Sequence, residues 1–167
     1  MMKIAIVLVT MILGIAQAQA CVSCNEIAKT TKEFGALNPR STVDQETGGK
    51  LIDPMMKTIR AGVNEAAKNS KLRTRLWSDL FAMVTAAGPY DFESQGAQLL
   101  HEGLRRDAKA AAQFDKEFSG NKLSCEKKLL KSAIVEFRCN DRRSGGKVPA
   151  EGGVAACVQT FNYDLCK

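Results

Sequence analysis

The chain has 167 residues, with 24 Lys and Arg against 18 Asp and Glu, and one histidine. That length fits a single domain able to build a core. A lone histidine excludes mechanisms that need two. The one aromatic of the most basic stretch, Phe137, offers nucleic acid no stacking platform, so nucleic acid is an unlikely partner.

Residues 1–20 read as a secretory signal. Lys3 forms a short positive start, residues 4–15 are almost wholly apolar, and Ala18 and Ala20 stand where a signal peptidase reads small residues. The apolar run is about twelve residues, short of the roughly 20 that span a bilayer. The expected product is an exported protein, periplasmic or secreted, with residues 21–167 as one mature domain and no membrane span. Residues 21–120 form its helical body, and residues 121–167 a basic, disulfide-rich C-terminal part.

The first helix is predicted over 21–37, and the polar stretch 41–50 as an exposed loop. Asp53 and Pro54 read as the start of a second helix, with Met56, Ile59, Val63 and Ala66 at helical spacing. The third carries the stripe Leu72, Leu76, Leu80, Met83 and Ala87, widened by Trp77, Phe81 and Val84, and Gly88-Pro89 stops it. A fourth is predicted over 94–118. The fold class is therefore mainly α, an antiparallel bundle of about four helices. Beyond residue 120, residues 124–132 suit a short helix. Residues 133–139 are richer in β-branched and aromatic types and are expected as a strand of a short β-hairpin. Residues 154–165 fit a second strand or a final helix.

Six cysteines, Cys21, Cys24, Cys125, Cys139, Cys157 and Cys166, are an even set in an exported chain and point to disulfides. The preferred pairing joins Cys21 and Cys24 to Cys157 and Cys166, and Cys125 to Cys139. In cysteine order the C-x-x-C opening resembles saposin-like domains, but the gap from Cys24 to Cys125 is too wide for a domain of that size. No family is assigned on it.

Catalytic signatures fail one by one. Cys21-Val22-Ser23-Cys24 lacks the histidine of a haem-attachment motif and the preceding strand of a redox dithiol. His101-Glu102 lacks a second zinc ligand, since position 105 is Arg, and His101 reads as a surface or boundary residue. No cofactor or metal is expected. Lys122 to Lys147 holds 8 basic and 3 acidic residues, so the charge excess is local. Within it, Arg142, Arg143 and Lys147 beside flexible glycines are the anion-binding candidate, since forked guanidinium donors suit carboxylate or phosphate. The function expected is an exported binding protein, an inhibitor or effector among the possibilities. Its partner would be an anionic envelope polymer, a lipid head group or an acidic protein. The alternative is a small hydrolase using carboxylates such as Glu93, Glu102 and Asp107.

Overall fold

A computed structural model describes residues 21–143, and the protein over that range is mainly helical. Six helices follow one another: α1 (Val22–Gly35), α2 (Thr42–Lys68), α3 (Arg73–Ala87), α4 (Gln95–Leu104), α5 (Ala108–Glu117) and α6 (Cys125–Arg143). The described residues contain no strand. The export signal, the second predicted strand, Lys147, Cys157 and Cys166 lie outside them.

Helix α3 is the hub. It contacts every other helix of the set, and each apolar residue of its predicted stripe from Leu76 onward is buried. Trp77, Phe81, Phe114 and Phe118 run as one aromatic chain from α3 to the end of α5, with Phe114 and Phe118 stacked at 4.4 Å between centroids. Two glycines let helices close on this core. A Cβ on Gly103 of α4 would come within 2.7 Å of the Trp77 ring, and one on Gly48 of α2 would collide with the Tyr90 ring. Tyr90 in turn stacks on Phe34 of α1.

Three sequence expectations need correction. The polar stretch 41–50 is not a loop. Ser41 caps a helix there, its hydroxyl accepting from the Asp44 N–H at 3.4 Å, and α2 runs unbroken through Pro54. Gly48, packed on Tyr90, and Ile52 are buried, and this packing outweighs the weak helix propensity of the stretch. Pro54 sits on the exposed side, where the N–H it lacks leaves the core untouched. The predicted fourth helix is two. Asp107 breaks it and caps α5 through the Ala110 N–H at 3.1 Å, while also accepting from Trp77 Nε1 at 3.3 Å. Residues 133–139 are helical, inside α6. Leu130, Ala133, Ile134 and Phe137 fall on one face at helical spacing, and burying that face decides against the strand expected from β-branched composition.

The preferred disulfide pairing is also overturned. Cys21 and Cys24 are joined to each other, with Cα atoms 5.3 Å apart across the first turn of α1. Cys125 and Cys139 stand fourteen residues apart on one straight helix. That is about 21 Å of rise, three times the Cα separation of about 7 Å that a bridge tolerates. Both are nonetheless disulfide-bonded.

Candidate functional site

The site grows from the contact between α4 and α6. Helix α4 starts at a tight turn in which Ser94 takes a left-handed conformation (φ 55°) and makes no side-chain cap. Asp91 does the capping instead, its two carboxylate oxygens accepting from the N–H groups of Gln95 (2.9 Å) and Gly96 (2.7 Å). This fixes the direction of α4. Its last turn carries His101, and the residue just past it Arg105, to Asp141 in the last turn of α6.

His101 is buried, 5% exposed, which corrects the expectation of a surface or boundary histidine. Its ring stacks on Phe137 at 6.0 Å, and Nε2 lies 2.7 Å from Asp141 Oδ2. A carboxylate only accepts, so Nε2 carries the hydrogen of this bond. Nδ1 is buried and has no hydrogen-bond partner among the described residues. Arg105 reaches the same Asp141 oxygen at 3.2 Å from the exposed side. One carboxylate thus ties a buried imidazole and an exposed guanidinium to the last turn of α6.

The basic residues of the C-terminal stretch divide by role. Arg138 is structural, its guanidinium donating to Asp115 Oδ1 at 2.6 Å and lying over the Phe114 ring. Lys127 lies 5.9 Å from the centre of the Phe118 ring. Arg142 and Arg143 follow Asp141 as the last two residues of α6, and Asp141 in turn meets Arg105, just past the end of α4. Helix C-terminal ends favour cations, each carrying about half a negative charge. In sequence, Arg105 and Arg106 follow α4 and Arg142 and Arg143 end α6, four cations against Asp141, Glu102 and two half charges, so these helix ends are cationic on balance.

The carboxylates considered for hydrolysis are dispersed. Asp107 is occupied by Ala110, Trp77 and Arg73, and Glu93 by the Gln95 side chain at 2.8 Å. Glu102 is exposed on α4. A cavity of about 260 Å³ does open between the end of α3 and the first half of α6, with Val84, Leu130, Ala133 and the exposed Phe92 among its walls. Asp91 and Glu126 also line it, but both Asp91 oxygens already cap α4.

At the N-terminal end, Cys21 occupies the N-cap of α1 and Cys24 is buried one turn in. A helix N-terminus lowers the pKa of a thiol when its N–H groups are open. Here the Glu65 carboxylate takes the N–H groups of Val22 (3.1 Å) and Ser23 (2.8 Å), and its negative charge opposes a thiolate. That favours a structural over a redox role for this bridge. Among the described residues there is no cluster of His, Cys, Asp and Glu able to hold a metal, and no helix is long and apolar enough to cross a membrane. No protein-family model, curated protein or solved structure matches the chain.

Proposed function

We propose that the chain is an exported, disulfide-stabilised binding protein, periplasmic or secreted, whose helical body is an antiparallel bundle presenting a cationic end to an anionic partner. The observation that carries this reading is the Arg105–Asp141 contact at 3.2 Å, which ties the end of α4 to the last turn of α6, where Arg142 and Arg143 follow Asp141 in the sequence. Lys147 follows four residues beyond Arg143 in the sequence. Guanidinium groups suit carboxylate and phosphate through paired, charge-assisted hydrogen bonds. An envelope polymer, a lipid head group and an acidic protein face share that chemistry, and an inhibitor or effector role fits the last. A hydrolase reading is less well supported, because Asp91 and Asp107 serve as helix caps.

The test is capture of partners by the mature, oxidised protein from the producer's envelope and extracellular fractions at low and high salt. The expected result is a partner held at low salt, released at high salt, and lost when Arg105, Arg106, Arg142 and Arg143 are neutralised together. Capture that ignores both salt and these four residues would end the proposal.

A further inference from the structure

The cavity between the end of α3 and the first half of α6 carries charge of one sign only. Its walls are apolar on three sides, with Val84 from α3, Ala97 from α4, and Leu129, Leu130 and Ala133 from α6. Its ionisable lining is Asp91 and Glu126, and among the described residues no lysine, arginine or histidine joins them. In a chain with 24 Lys and Arg against 18 Asp and Glu, a wall with two acids and no base runs against composition.

Asp91 is the only buried carboxylate among the described residues, 7% exposed. A buried carboxylate is costly unless it is hydrogen-bonded and paired with a cation. Asp91 has the first and lacks the second. Its oxygens accept the Gln95 and Gly96 N–H groups at the positive end of α4, but no ion pair reaches it among the described residues. Each oxygen keeps a second lone pair to offer. Glu126 shares one face of α6 with Leu129, Leu130 and Ala133, at helical spacing, so it stands at the head of the apolar wall. It is exposed and likewise without an ion pair, since the neighbouring Lys127 lies over the Phe118 ring.

The turn between α3 and α4 adds two signs of its own. Phe92 is 77% exposed beside the cavity, an aromatic ring left largely in water. Ser94, also in the lining, holds the left-handed φ of 55° that non-glycine residues rarely adopt, and such strain gathers at ligand sites.

We propose that this cavity binds a small organic cation, a primary ammonium group carried on a single ring or a short alkyl chain. The apolar body packs on Val84, Leu130 and Ala133. The ammonium donates to the remaining lone pairs of Asp91 and to Glu126, and the Phe92 ring covers it, its face attracting the positive charge. The volume, about 260 Å³, lies just under the range of about 300–1,000 Å³ usual for small-molecule sites, which limits the body to that size. The site is separate from the cationic end and does not rest on the proposed function.

The experiment is titration of the oxidised full chain with phenethylamine near neutral pH, followed by amide chemical shifts in NMR. Phenethyl alcohol and hydrocinnamate serve as the neutral and anionic counterparts. Phenethylamine should shift the amides of Ala97, Leu130 and Ala133 and bind at least about tenfold more tightly than the alcohol. Hydrocinnamate, which the net positive charge of the chain favours at long range, should not bind there. Glu126→Gln should weaken the amine about tenfold and leave the alcohol unchanged. Phe92→Ser should weaken the amine about threefold. Both side chains are exposed, so neither substitution should move the unfolding midpoint. No amine shift at these amides, an alcohol or hydrocinnamate bound as tightly as the amine, or an amine affinity indifferent to Glu126→Gln would each overturn the proposal.

Discussion

The core around α3 and the seam between α4 and α6 both bury helix faces, by opposite means. Around α3 the buried groups are large and apolar, from Leu76 and Trp77 to Met83 and Val84, and polar side chains sit at its margins as caps. In the seam a histidine, an aspartate and an arginine meet beside one aromatic ring, and a buried ring nitrogen has no partner among the described residues. Apolar burial stabilises by area and tolerates exchange of similar volumes. A buried polar network stabilises only while each member is satisfied, and in return it fixes one arrangement. The seam holds the last turn of α6, and with it the arginines, in one place relative to α4.

That contrast predicts a graded set of effects. The largest is in the apolar core. Trp77→Ala removes the ring that Phe81, Gly103 and Asp107 all touch, and should cost about 3–5 kcal/mol in chemical denaturation. A loss under about 1 kcal/mol would mean that α3 is not the hub. Next comes the seam. Asp141→Ala strips the carboxylate from His101 and Arg105 and should cost about 1–3 kcal/mol, while tightening retention on an anionic matrix because the competing negative charge is gone. His101→Phe keeps a ring on Phe137 and removes the unpaired nitrogen, so it should cost clearly less than Asp141→Ala. Equal costs would contradict the assignment of Asp141 as the centre of the network.

The smallest effect is electrostatic and lies at the far end of the molecule. Bonds from the Ser23 hydroxyl and N–H, helped by the Val22 N–H, hold the Glu65 carboxyl below its ordinary value of 4.5. A carboxyl with a depressed folded pKa contributes stability that is complete above its unfolded pKa and disappears as pH falls through the folded one. The stability difference between the native chain and a Glu65→Gln variant should therefore be constant near neutrality and shrink as the pH drops below about 4.5. A difference that grows in acid would reverse the sign and discard the cap.

Much of this architecture was legible in the sequence where one local signal and one burial demand agreed. The stripe from Leu72 to Ala87 ended by Gly88 is helix α3 almost to the residue. Elsewhere local signals misled because tertiary contacts decided. Gly48-Gly49 looks like a turn, but Gly48 is the flat spot on which Tyr90 packs. Val135 and Phe137 favour a strand by type, yet their neighbours Leu130 and Ile134 share a helical face. Of the candidate site, Arg142 and Arg143 were visible as a charge cluster. Arg105 was not, because only folding joins it to Asp141, 36 positions further along the sequence, and that contact carries no sequence motif.

The most direct measurement compares two charge reversals of equal size by salt elution from an anionic matrix. One variant carries Arg105→Glu and Arg106→Glu at the cationic end. The other carries Lys29→Glu and Lys32→Glu on the exposed side of α1. Net charge changes equally in both. A binding face at the α4–α6 end predicts that the arginine variant elutes at much lower salt while the lysine variant stays near the native position. Equal shifts in the two would show that retention follows total charge, and the cationic end would lose its standing as a site.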